Sequence, residues 1–104
     1  MNWLAPDRKV RPYLLNAEHP EGGPKAKFFF AHGFSVARWH VLKAALEQHP
    51  VDNGIFAGEA NDWGQKLIVV CNMQTPDGTN PCVKTIWQLE VGAPARLITA
   101  YPAR

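Results

Sequence analysis

Cysteine is nearly absent. Cys71 and Cys82 are the only two in 104 residues. Two thiols cannot form a disulfide framework, and with no CxxC pair there is no zinc-binding pattern. Both fall in strand-like sequence, which favours buried, reduced thiols; a single bridge between neighbouring strands stays open. No apolar window approaches the 18 residues of a membrane helix. The N-terminal MNWLAPDRKVRPYLLN lacks the apolar core of a signal peptide, so a cytoplasmic protein is expected. Charge of one sign is scarce too. Eleven Lys and Arg against nine Asp and Glu leave a net +2, weaker than a dedicated DNA binder shows. The sequence contains no Walker loop, no GxGxxG, no GxSxG and no HExxH. Internal repeats and low-complexity tracts are also missing.

The composition is that of a globular chain. Hydrophobic residues make up 46% and charged residues 19%, which argues against disorder. The length suits one domain, 1–104, with a modest core. Residues 1–12 read as an irregular arm broken by Pro6 and Pro12. Tyr13-Leu14-Leu15 is the first apolar anchor, and Asn16 to Gly23 is turn chemistry.

A helix is expected from Pro24 to His32. Proline suits its first turn, and Gly33 suits the left-handed residue past its end. Phe34 should then fold back on Phe29 or Phe30. A second helix is expected from Ser35 to about His49, with Val36, Trp39, Leu42, Ala45 and Leu46 as its apolar stripe and Pro50 as its stop. Beyond it the period changes. Gly64–Met73 is dense in β-formers, Val83–Val91 alternates, and Arg96–Tyr101 closes the chain as a strand. A weaker strand covers Gly54–Ala60. The expected fold is α+β, with two N-terminal helices packed on a three- to four-stranded antiparallel meander sheet.

Chemistry concentrates in HPEGGPKAKFFF, residues 19–30. His19 precedes a proline and stands beside a helix start, where a positioned imidazole can move protons near neutral pH. Free N–H groups and the helix dipole favour an anion there. Lys25 and Lys27 oppose that dipole, which a docked anion would explain; the plainer reading is that lysines are soluble helix formers. His32, His40 and His49 read as surface or end-cap residues. On the last two strands, Thr85-x-Trp87 and Thr99-x-Tyr101 form one patch if Leu89 faces Leu97. Trp87 then faces Thr99, and Thr85 faces Tyr101. Such a patch suits base stacking and phosphate contacts, although strand preference alone also accounts for these residue types. No cofactor and no metal ligand set is expected.

The strings YLLNAEHPEGGPKAKFF, HGF, TIW and RLITAYP together resemble a small bacterial domain family of unknown function. Similar segments occur at the C-terminal ends of contact-dependent and polymorphic toxins. The pattern also resembles the wider barnase–EndoU–colicin–RelE group of metal-independent ribonucleases. The resemblance spans roughly residues 10–102. It points to His19, Lys25, Thr85, Trp87, Thr99 and Tyr101. With Lys27 from the helix-start reading, the expected catalytic residues are His19, Lys25 and Thr99, and the expected substrate-binding residues are Lys27, Thr85, Trp87 and Tyr101. Pro24 departs from the small polar residue expected there. Two functions follow as expectations. One is a ribonuclease-like toxin module cleaving RNA by 2′-hydroxyl attack. The other is a non-catalytic module that binds a cognate antitoxin or immunity protein.

Overall fold

The computed structural model describes residues 2–103. Met1 of the expected arm and Arg104 of the expected domain lie outside them. Nine elements follow in order. Strand β1 is Trp3–Leu4. Helix α1, Asp7–Lys9, runs on as a wide π-type turn over Val10–Leu14. Helices α2 (Gly23–Ala31) and α3 (Trp39–Asn53) precede strands β2 (Ala57–Asn61), β3 (Gly64–Asn72), β4 (Cys82–Leu89) and β5 (Ala95–Pro102). The sheet order is β1-β5-β4-β3-β2. Neighbours are antiparallel except β1 with β5. The fold is therefore α+β, as expected, with a larger sheet and one more helix. No helix among the described residues is long and apolar enough to cross a membrane.

The helices cover one face of the sheet. Val10, Leu14, Phe29, Leu42 and Leu46 bury completely against Val69, Val83, Trp87 and Ala100. Alternation along β4 is the cause: Val83, Thr85 and Trp87 point inward while Lys84 and Ile86 stay half-exposed. The α2 stop is built as expected. Gly33 has φ +98, and the Phe34 amide bonds the Phe29 carbonyl at 3.1 Å, which brings the two rings to 5.9 Å.

Several expectations need correction. The helix expected from Ser35 begins only at Trp39. Residues 2–12, the described part of the expected arm, are not irregular. Trp3 packs edge-on against Trp87 at 5.2 Å, and the Ala5 amide donates to the Glu47 carboxylate at 2.9 Å. These tertiary bonds organise a segment that local propensity leaves undefined. Pro50 does not stop α3. Its ring costs one helical bond, but the last turn is held by Gly54 N–H on the Pro50 carbonyl and by Asn53 Nδ2 on the carbonyls of His49 and Asn72. Gly54, at φ +75, ends the helix instead. Strand β4 stops at Leu89, leaving Val91 fully exposed. Finally, Cys71 and Cys82 lie diagonally across β3 and β4, half-buried rather than buried, with no disulfide between them.

The β4–β5 register also differs. Trp87 pairs with Leu97 and Ile86 with Thr99, so Ile98 is an extra residue on β5. Such a bulge breaks the in–out alternation. Leu97 and Ala100 both remain buried, and Thr99 between them is displaced toward the helical segments.

Candidate functional site

The expected sheet patch does not form. Thr85 pairs with Ala100 and Lys84 with Tyr101, one residue off the expected facing. Thr85 and Trp87 are both 0% exposed. Trp87 Nε1 donates to Thr85 Oγ1 at 2.8 Å, and Thr85 Oγ1 lies 2.9 Å from His49 Nδ1. His49 Nε2 reaches the Cys71 carbonyl at 2.8 Å. Each donor has an acceptor when the indole donates to the hydroxyl, the hydroxyl to Nδ1, and Nε2–H to the carbonyl. His49 is thus a neutral, buried tie between α3 and the sheet, not a surface histidine. Burial is the main cause holding its pKa below the ordinary value, against the pull of its backbone bonds and of Asp52. Thr85 and Trp87 belong to this core network, out of reach of any ligand.

A different cluster assembles around Tyr13. Its phenol oxygen accepts from Lys25 Nζ at 2.7 Å and lies 3.0 Å from Thr99 Oγ1. The His19 ring packs edge-on against its ring at 4.9 Å. The ammonium groups of Lys9 and Lys25 lie 5.2 and 5.0 Å from the ring centroid. Four segments meet here: α1 with its π-type turn, the loop before α2, the first turn of α2, and the bulged part of β5. Gly22 allows the closure, since a Cβ there would lie 2.1 Å from the Tyr13 carbonyl oxygen. Burial pushes the Tyr13 phenol up. Hydrogen bonds from Lys25 and Thr99 and the charges of Lys25 and Lys9 outweigh it, and the net shift is downward.

Three expected residues, His19, Lys25 and Thr99, therefore come together. Lys27 is exposed on a different side of α2 from Lys25. Tyr101 lies on the outer sheet face, its ring 5.8 Å from Lys84 Nζ. Tyr13 and Lys9 were missed. Tyr13 read as an apolar anchor, and only its phenol beside a basic run hinted at more.

His19 also answers a structural need. Its Nδ1 accepts the amides of Glu21 and Gly22, each at 3.0 Å, and its carbonyl accepts Gly23 N–H at 2.8 Å. The imidazole therefore caps the approach to α2, and those amides are not available to an outside anion. With Nδ1 an acceptor, the neutral ring carries its proton on Nε2. Substituting His19→Ala should cost about 1 kcal/mol, as loss of a cap does. His19→Asn, whose amide oxygen can replace Nδ1, should restore most of it. Urea midpoints of the three proteins check this, and equal midpoints for wild type and H19A would remove the capping role.

The fold and this cluster define a small α+β domain: helices on one sheet face, the other face open, and a cationic tyrosine-centred site beside the last strand. The chain belongs to the family described as Domain of unknown function (DUF6883), whose model matches residues 2–104. Its structure is similar to a chain of the contact-dependent growth inhibition toxin–immunity protein complex from Klebsiella pneumoniae 342. The TM-score is 0.73 at 14% identity, covering 97% of this chain and 93% of that one. At that identity the likeness establishes a shared fold. No curated protein matches the sequence.

Proposed function

We propose that this domain is a ribonuclease-like module of the toxin type, which seats an RNA phosphodiester at the Tyr13 cluster without a metal ion. The observation that carries this reading is the meeting of His19, Lys25 and Thr99 around one phenol. Lys25, with Lys9 behind it, offsets the charge that builds on phosphate oxygens during 2′-hydroxyl attack. Thr99 donates a hydroxyl to the phosphate, and His19 offers Nε2–H. With Nδ1 occupied by two amides, His19 serves better as a hydrogen-bond donor than as the general base. The structural neighbour comes from a complex of a growth-inhibition toxin with its immunity protein, which is consistent with a toxin-related role.

The test is cleavage of a labelled RNA by purified protein in the presence of a chelator. The expected products carry 2′,3′-cyclic phosphate ends, and activity falls steeply with added salt. Intact RNA at excess folded protein ends the proposal.

A second reading rests on other residues. The outer sheet face carries a hollow of about 460 Å³ lined by Trp63, Lys66, Ile86, Gln88, Arg96 and Ile98. Trp63 there is 71% exposed. An interaction module would use this face to bind a cognate protein. Induced expression separates the readings, because only the ribonuclease arrests growth when expressed alone.

A further inference from the structure

Cleavage by 2′-hydroxyl attack needs a proton for the departing 5′-oxygen. His19 is poorly placed to supply one. A second proton on its ring would have to sit on Nδ1, displacing two backbone amides at 3.0 Å. Thr99 is an alcohol, as weak an acid as the leaving group itself. Lys25 already directs its ammonium at an oxygen 2.7 Å away. That oxygen belongs to Tyr13.

Resting on the phosphodiester reading above, we infer that Tyr13 is the general acid that protonates the leaving 5′-oxygen. The ribose 2′-oxygen forms a bond to phosphorus and yields its proton to solvent water. The bond from phosphorus to the 5′-oxygen breaks, and its electron pair takes the Tyr13 phenolic proton. The product is a 2′,3′-cyclic phosphate, a free 5′-hydroxyl and a Tyr13 phenolate, which solvent then reprotonates. Atoms and charge balance without a metal or cofactor.

The surroundings fit that role. The phenol carries a transferable proton on its oxygen, as a general acid needs. The phenolate it leaves behind receives Lys25 Nζ at 2.7 Å. The charged and titratable groups facing it are Lys25 from α2, Lys9 from α1 and His19 from the intervening loop. Two of the three are cations, which explains the downward shift of the phenol and makes it a stronger acid.

Two substrates test the assignment: a short RNA, and a uridine 3′-(4-nitrophenyl) phosphodiester, whose leaving group departs without a proton. Tyr13→Phe should slow RNA cleavage by about 10²–10⁴-fold, the usual worth of a proton-transfer group. On the aryl ester the same variant should lose less than about tenfold, because nothing is left for an acid to do. Wild type should lose RNA cleavage as pH rises through the Tyr13 titration, below the ordinary phenol range, and should show no such loss on the aryl ester. Equal losses on both substrates would make Tyr13 a positioning group and overturn the inference. Unchanged RNA cleavage by Y13F overturns it too, while leaving the ribonuclease reading intact. A wild type inert toward both substrates removes that reading and the inference together. If Y13F does not fold, a second form decides. Fluorotyrosine incorporated at position 13, with Tyr101 replaced by Phe, must move the alkaline limb on RNA to lower pH; an unmoved limb rejects the assignment.

Discussion

Replacing Lys25 by methionine should slow RNA cleavage by about 10²–10³-fold, the effect of removing one well-placed donor from a developing oxyanion. Methionine keeps the half-buried stem and removes only the ammonium. Two effects on stability oppose each other. The variant loses the bond to the Tyr13 phenol at 2.7 Å, worth about 1 kcal/mol at this half-buried position, and it relieves a cation in the first turn of α2, which has no acidic residue to offset it. Lys25→Met should therefore shift the urea midpoint only slightly, and the protein should stay folded while activity collapses. Cleavage at the wild-type rate by K25M would detach the whole cluster from the chemistry.

The second large effect concerns the core. His49→Leu should destabilise the protein by about 2–4 kcal/mol, because the Thr85 hydroxyl and the Cys71 carbonyl lose their buried partner. The wild-type network also sets a pH window. The folded pKa of His49 is depressed, whereas the unfolded chain titrates near the ordinary value of about 6.5. Above that pH both states are neutral, and His49 adds no pH dependence. Below it the unfolded state takes up a proton that the folded state refuses, so stability falls as pH falls. The slope approaches about 1.4 kcal/mol per pH unit until the folded histidine itself titrates. Urea unfolding between pH 5 and 8 reads this directly, and the slope below pH 6.5 should flatten in H49L. Persistence of the full slope in that variant would move the proton uptake to another group. A separate loss comes lower. Hydrogen bonds from Thr75 and Thr79 and the nearby His32 hold Asp77 down at about 2, so its contribution disappears only as pH falls from about 4 toward 2.

Much of the fold was legible because it is local. Helix α2 was placed within a residue at each end by Pro24 and Gly33, whose backbone constraints act on their own turn. Strand β3 followed from its density of β-formers, β4 from alternation, and the break between them from the turn at residues 75–80. The errors share a cause. Pro50 was read as a stop because its ring forbids one bond, yet Asn53 ties that last turn to the Asn72 carbonyl on the sheet. The Thr85–Trp87 patch was placed on the surface because a two-residue period does not say which face is covered. The β4–β5 register was missed because one extra residue, Ile98, is invisible to alternation. His49 looked like an end cap because its partners, Thr85 and Cys71, lie 36 and 22 residues away.

The site divides the same way. Local sequence marked His19, Lys25 and Thr99 by residue type and placed a helix start between two of them. By itself it determined an α+β chain, the start and stop of helix α2, and cations gathered before and within that helix. Only the tertiary structure decided that these groups meet, and that they meet on Tyr13. The bond between Tyr13 and Thr99 joins residues 86 positions apart. Its formation depends on a bulge that displaces Thr99 and on the close approach of Gly22 to the Tyr13 backbone. Both are properties of packed surfaces rather than of any stretch of chain, because hydrogen bonding and desolvation act through distance in space and not through position in sequence.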